Sequence, residues 1–272
     1  MEKREDSRAK RDPGLIAYKM KKGKIIAVAG KGGTGKTALS ALLIRELLKL
    51  AGPDTCILAL DADADSNLPE ALGLAYYRTV GDIREGLLDE KQRDVTLDMR
   101  SQFEGKIAEV IEEEEQYDLL VMGRPEGPGC YCPVNHIIRL IVDTLTKNYD
   151  YTVIDCEAGL EHLSRRTTMD VDVMLVVLDT TLRSIKTALR LRKIAGEIDV
   201  DVKKLVTIAN KIPPGAEELI IAEAKKHDLD IEELVPFDPL IPEYDLKGMP
   251  IVDLPDDAPS VERVRRIAER IR

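Results

Sequence analysis

The chain has no tryptophan and only two phenylalanines, so aromatic stacking cannot build its interior. Leucine, isoleucine and valine must do so. Four cysteines (Cys56, Cys130, Cys132 and Cys156) in 272 residues are too few for a disulfide scaffold, and read better as thiols or metal ligands. No apolar run approaches the ~20 residues that span a bilayer. The charged N-terminus lacks the apolar core of a secretory signal, which points to the cytoplasm. A net charge of −10 counts against broad nucleic-acid binding, because phosphates would be repelled over most of the surface. Nor is there an internal repeat, or a linker long enough to divide the chain. What remains, 44% apolar and 33% charged, is the composition of a folded soluble protein.

Residues 1–23 stand apart, with Lys3, Arg4, Arg8, Lys10, Arg11, Lys19, Lys21 and Lys22 and little apolar content. They read as a disordered basic tail, or as sequence ahead of a natural start at Met20. From residue 24 apolar runs alternate with helical periodicity. Strands are expected at Lys24–Ala29, Thr55–Leu60, Asp118–Met122, Tyr151–Ile154, Val171–Leu178 and Lys204–Ala209. Helices are expected over Lys36–Leu50, near 100–115, 134–148, 183–198 and 216–226, and from Pro259 onward. Uninterrupted apolar strands separated by helices predict an α/β fold: a doubly wound, mostly parallel sheet with helices on both faces, in one domain over 24–272. Ligands of such sheets bind beyond the C-terminal ends of the strands. The Glu112–Glu115 run is expected on the solvated face of a helix whose buried face is Ile107, Val110 and Ile111. The last helix, with Val261, Val264, Ile267, Ala268 and Ile271 on one face, lacks aromatic anchors for a membrane surface and is expected to pack on its own domain.

One segment carries specific chemistry. Gly30-Lys31-Gly32-Gly33-Thr34-Gly35-Lys36-Thr37 fits G-x-x-x-x-G-K-[ST] between a predicted strand and a predicted helix, the context that confirms the match. Glycines let successive amides of Gly32, Gly33, Thr34 and Gly35 turn inward around phosphates, and the helix start, running on through Ala38, adds its positive end. Lys36 is placed to neutralise the β- and γ-phosphates, and the Thr37 hydroxyl to ligate Mg²⁺. The expected ligand is a magnesium-bound nucleoside triphosphate. Guanine readers of this class carry an aspartate two residues after the lysine of an Asn-Lys pair. Here Asn210-Lys211 is followed by Pro213 at that position, which favours ATP.

Lys31, beside the first glycine, makes the loop resemble the deviant Walker A pattern KGGxGK[ST]. That pattern belongs to the family of MinD and ParA proteins, the arsenite-pump ATPase and the nitrogenase iron protein. The resemblance implies a nucleotide-gated homodimer in which Lys31 crosses the interface to the partner's phosphates. It gives Asp63, in Asp61-Ala-Asp63-Ala-Asp65, the positioning of the attacking water, and puts Asp61 near the magnesium shell. Asp65 reads equally well as a turn residue. By the same resemblance Asp155 holds a magnesium-bound water and Asn210 reads adenine. Pro236, within Val235-Pro236-Phe237-Asp238, lies on the adenine side, as does Gly248-Met-Pro250.

The stretch Gly123-Arg-Pro-Glu-Gly-Pro-Gly-Cys130-Tyr-Cys132-Pro-Val-Asn135 follows a predicted strand. Two thiols at the start of a helix near Pro133 sit at its positive end, which favours the metal-binding thiolate. Two are too few for a closed four-coordinate site, but a symmetric dimer supplies four. Sulfur ligands suit Ni²⁺, Zn²⁺ or Cu⁺. His136 is better read as a polar first-turn residue than as a ligand, and Cys56 and Cys156 as core thiols. Together with DCEAGLEH after the fourth strand, this stretch resembles the CooC-type ATPases, over essentially residues 24–272. These serve nickel insertion into carbon monoxide dehydrogenase and related acetyl-CoA synthase enzymes. The resemblance implies that Cys130 and Cys132 bind one Ni²⁺ or Zn²⁺ between two subunits and that the client is such a nickel enzyme. Ala38 stands where that family often has a second threonine. Two other functions compete. An iron–sulfur reductase would need a further cysteine beyond Gly159, and none follows. A positioning ATPase on membrane or DNA gives no reason for the paired thiols.

Overall fold

The computed structural model describes residues 23–74, 77–82, 106–123, 143–157, 171–196 and 202–272. In chain order the elements are β1 (Lys24–Gly30), α1 (Lys36–Ala51), β2 (Ile57–Asp61), α2 (Leu68–Ala71), β3 (Glu112–Glu113), β4 (Tyr117–Val121) and β5 (Tyr151–Asp155). There follow β6 (Val173–Leu178), α3 (Leu182–Ala195), β7 (Leu205–Ile212), α4 (Glu217–Lys225), β8 (Glu233–Pro236), α5 (Leu240–Leu246) and α6 (Pro259–Ile271). They form an eight-stranded sheet in the order β3-β4-β2-β5-β1-β6-β7-β8, parallel throughout except for β3.

The burial of the strands explains the layering. Every residue of β2 and β6 is buried, as is β1 after its first residue, so both sheet faces must be covered. Alternate residues feed two separate apolar layers. Ile26 and Val28 of β1 pack in the layer under α1 and α6, while Ile25, Ala27 and Ala29 pack in the layer under α3 and α4. β1 lies between β5 and β6, so the chain winds outward from it to both edges. The crevice at its C-terminal end is where such folds bind ligands.

Four expectations need correction. The helix near 100–115 stops short of the glutamates: Ile107 and Val110 are buried as expected, but Glu112–Glu113 pair antiparallel with β4. A two-residue edge strand made of glutamates resists further pairing, which is a physical reason for charge there; Glu113–Glu115 are solvated, as read. β7 does not end at Ala209 but continues through Asn210 and Lys211 to Ile212. β6 begins at Val173 rather than Val171, which makes only an isolated bridge to Val202. Finally, Val235 and Pro236, expected in an adenine-side loop with Phe237 and Asp238, end the outermost strand β8.

The last helix behaves as its periodicity predicts. Val261, Val264, Ile267, Ala268 and Ile271 are all buried, and α6 lies along α1. The contact is pinned by charge: fully buried Glu46 of α1 accepts from Arg265 Nε at 2.8 Å and Arg45 Nε at 3.0 Å. Arg45 also donates to the carbonyls of Val252 and Leu254 at 2.8 and 2.6 Å, holding the chain that leads into α6. Among the described residues no helix is long and apolar enough to cross a membrane. Truncating Ile267, 1% exposed, to alanine should lower the unfolding free energy by about 3 kcal/mol, as read from urea denaturation.

Candidate functional site

The loop from Gly30 to Thr37 joins β1 to α1 at the centre of the sheet's C-terminal edge. Two of its glycines are required by backbone conformation: Gly33 at φ 83° and Gly35 at φ 86°, where other residues are strained. A β-carbon at Gly35 would also lie 2.6 Å from Asn210 Nδ2, and one at Gly30 2.2 Å from the Val177 carbonyl oxygen. The loop is closed by the Lys31 carbonyl, which accepts from Thr34 Oγ1 at 2.8 Å and Thr34 N at 3.3 Å. β7 supports it from outside: Asn210 Nδ2 donates to the Thr34 carbonyl at 2.8 Å and Lys211 Nζ to the Gly33 carbonyl at 2.9 Å.

Beneath the loop the sheet places two carboxylates side by side. Asp61 ends β2, Asp155 ends β5, and the two are in register on adjacent strands. Asp61 accepts from the amides of Asp63 at 2.9 Å and Leu68 at 3.0 Å. Asp155 accepts from Ser40 Oγ at 3.2 Å and from the Thr37 hydroxyl, and the ammonium of Lys36 is near. Burial, with the Asp155 charge adding to it, pushes Asp61 up to about 7. Burial also pushes Asp155 up to about 6, against the pull of Thr37, Lys36 and Ser40. Two buried carboxylates in register are costly to ionise, and a divalent cation relieves both. Asp61, Asp155 and Thr37 therefore fit magnesium, which takes one or two carboxylates plus phosphate oxygens rather than a full protein cage. Among the described residues no group of three or more His, Cys, Asp or Glu side chains is arranged to hold a metal by itself.

Asp63 lies beside this pair, partly buried, its Oδ1 accepting from the exposed Asp65 amide at 3.1 Å. The turn role for Asp65 fits that geometry. Lys31 is partly exposed, and its Nζ reaches the carbonyl of Gly32 at 3.4 Å. Its charge also acts on Asp179, in the loop after β6. Although burial opposes the shift, hydrogen bonds from Thr181 and Ser184, with Lys31 nearby, hold that carboxylate below its ordinary range.

A cavity of ≈ 760 Å³ opens from Gly35, Thr37 and Ala38 toward the C-terminal segment. Asn210, Pro236, Phe237, Ile241, Pro242 and Met249 line its far side, with Lys211, Asp238 and Asp245 among them, a mostly apolar slot of the kind that takes a flat base. The slot is fixed by buried Asp238, which accepts from the Leu240 amide at 3.0 Å and from Ser260 Oγ at 2.6 Å. The structure thus brings together Lys31, Lys36, Thr37, Asp61, Asp63, Asp155, Asn210 and Pro236. Cys130, Cys132, His136 and Gly159 lie outside the described residues. Cys156 is buried and Cys56 partly so.

Three residues of the site escaped the sequence reading. Ser40 was findable, because it stands one helical turn beyond Lys36 on the same face of α1. Lys211 was seen only as Asn210's neighbour, and nothing in composition or spacing points to Asp179.

Loop, carboxylates and slot define a P-loop protein for nucleoside triphosphates. Comparison with known proteins agrees. Residues 23–208 match the family described as AAA domain. The chain is 50% identical over 250 residues to an uncharacterized ATP-binding protein of Methanocaldococcus jannaschii, covering 91% of this chain and 98% of that one. It is 30% identical over 241 residues to the carbon monoxide dehydrogenase accessory protein CooC of Rhodospirillum rubrum, covering 84% and 89%. Solved structures share the fold: a ParA family ATPase from Chlorobium tepidum (TM-score 0.68, 19% identity, 90% and 98% covered), and MinD with Mg-ADP from Pyrococcus horikoshii (TM-score 0.61, 20% identity, 92% and 96% covered). The chain belongs to this AAA-domain family of P-loop ATP-binding proteins, with CooC and MinD among its relatives.

The raised carboxylates give a pH signature. Both bind protons more tightly in the folded than in the unfolded chain, so their contribution to stability is full below about pH 4 and is lost as pH rises through about 6 and about 7. Urea midpoints of nucleotide-free protein should fall between about pH 5 and about pH 8. The fall should be smaller in Asp61→Asn, and smaller in wild type with saturating Mg²⁺ and ATP.

Proposed function

We propose that the protein is a magnesium-dependent ATPase that works as a dimeric switch and delivers a thiolate-bound metal ion, nickel or zinc, to a nickel enzyme of the carbon monoxide dehydrogenase/acetyl-CoA synthase type. The observation that carries this reading is a phosphate loop set over the paired Asp61 and Asp155 carboxylates, in a chain related to CooC. Met122, just past β4, donates its amide to the Asp61 carbonyl at 2.9 Å, continuing the β2–β4 ladder. The 30% identity to CooC over most of both chains supports the same assignment.

In this reading the amides of the loop and the start of α1 hold the phosphates, and Lys36 compensates their charge. Asp63 orients the attacking water, which is positioning rather than covalent chemistry. Bound Mg²⁺, held by Thr37 and the Asp61–Asp155 pair, supplies charge neutralisation at the phosphate oxygens. Asn210 and the Pro236 slot fix the adenine. Lys31 serves the partner's phosphates, so triphosphate and dimer favour one another. Each subunit of the dimer contributes Cys130 and Cys132, and four thiolates make a closed site for one cargo ion.

A second reading, a positioning ATPase, draws on the MinD and ParA structures that share the fold. Burial of the apolar face of α6 against α1 counts against a membrane-bound form of it. Liposome and DNA co-sedimentation with ATP should leave the protein in the supernatant.

Lys36→Ala should lower ATP hydrolysis at least ~100-fold in a phosphate-release assay. Lys31→Ala should lower hydrolysis while light scattering shows the ATP-dependent dimer lost. Wild type should bind one Ni²⁺ or Zn²⁺ per two chains, and Cys130→Ser/Cys132→Ser none. Equal stoichiometry in the two would remove the thiols from the account and leave the ATPase standing.

A further inference from the structure

Two consecutive residues of β7 reach the same loop, which a regular strand does not allow, because neighbouring side chains point to opposite faces. The departure is local. Pairing of β7 with β8 shifts register between Ala209 and Ile212, and Lys211 adopts φ 59°, a left-handed conformation disfavoured for lysine. Bulges of this kind re-aim a side chain. Here the result is that Asn210 Nδ2 meets the Thr34 carbonyl at 2.8 Å while Lys211 Nζ meets the Gly33 carbonyl at 2.9 Å. The lysine stem runs along the loop as well, since its Cε lies 3.0 Å from where a β-carbon on Gly35 would be.

The consequence follows from peptide planarity. In a trans peptide the N–H points opposite to the preceding C=O. Holding the Thr34 carbonyl toward β7 therefore turns the Gly35 N–H away from β7, toward the phosphate side. Holding the Gly33 carbonyl turns the Thr34 N–H back into the loop, where it donates to the Lys31 carbonyl at 3.3 Å. We propose that Lys211 is a positioning residue for phosphate binding: its ammonium, fixed by a strained bulge, clamps the Gly33 carbonyl and with Asn210 pre-sets two successive peptide planes of the loop. A loop ordered before the ligand arrives has less freedom to lose on binding. This rests on the reading that the loop binds Mg-ATP.

The strain supplies a clean test. Lys211→Gly and Lys211→Asn both suit positive φ but cannot reach Gly33, whereas Lys211→Arg keeps a cationic donor on a long stem. In the full-length protein the Gly and Asn variants should keep or raise the nucleotide-free thermal midpoint, yet bind Mg-ATP about tenfold more weakly by calorimetry. Lys211→Arg should return the affinity to within about threefold of wild type. Gly and Asn variants that bind within about twofold of wild type would overturn the proposal, as would weakening that merely tracks a lowered midpoint. Wild type that fails to bind Mg-ATP would instead sink the nucleotide-site reading, and this inference with it.

Discussion

The site turns on the cost of gathering charge at the end of a buried parallel sheet. Lys36, Asp61 and Asp155 are each at least nine-tenths shielded from solvent, and no such group is tolerated there without partners. The partners present within the chain are short and local: two amides for Asp61, two hydroxyls and the Lys36 charge for Asp155. These are enough to hold the carboxylates in place, but both remain raised. A site in that condition gains more from a bound cation and phosphates than an exposed one would, because the low-dielectric surroundings strengthen every added contact. The rest of the fold serves to place these groups. The strand register brings Asp61 opposite Asp155, and α1 brings Thr37 and Ser40 over them.

How far the sequence revealed this depends on whether a residue's task is set locally or by long-range packing. The phosphate loop was legible because its backbone needs Gly33 and Gly35 at positive φ, so the constraint is written as glycine. Asp61 and Asp155 were singled out through the family resemblance, and the structure sets both at the C-terminal ends of adjacent strands. The layers of the core followed from periodicity, and α6 was read residue by residue. By contrast, β3 exists only because β4 offers an edge, and two glutamates carry no strand signature of their own. The extension of β7 and its bulge depend on β8, a four-residue strand whose apolar content resembles a loop. Lys211 therefore looked like any lysine beside an asparagine. Its role is set by backbone torsion and by a loop about 180 residues away in sequence.

The wall of the base slot is tied back to the loop through the C-terminal segment. Asp238 joins the slot to the start of α6 through Ser260, and α6 joins α1 through Arg265 and the buried Glu46. Arg45 fastens the intervening chain at Val252 and Leu254. Phosphate and base ends of the pocket thus belong to one packed body built on α1. Ordering them together before the ligand arrives reduces what binding must later spend in conformational entropy.

On the opposite side, β2 and β4 pair in parallel and Asp61 links them to the carboxylate pair. Asp61 is followed by the Asp63–Asn67 turn, and its backbone carbonyl accepts from Met122, the last link before Gly123. Gly123 stands at φ 65°, packed so closely on Thr79 that a β-carbon would come within 2.7 Å of its hydroxyl. A shift of Asp61 on gain or loss of the triphosphate would reach Met122 through one hydrogen bond and Gly123 through the next peptide. Packed elements pass on such shifts because their interiors have little room to absorb them. The packed body built on α1 and the β2–β4 pair therefore meet at Asp61, which borders the proposed nucleotide site.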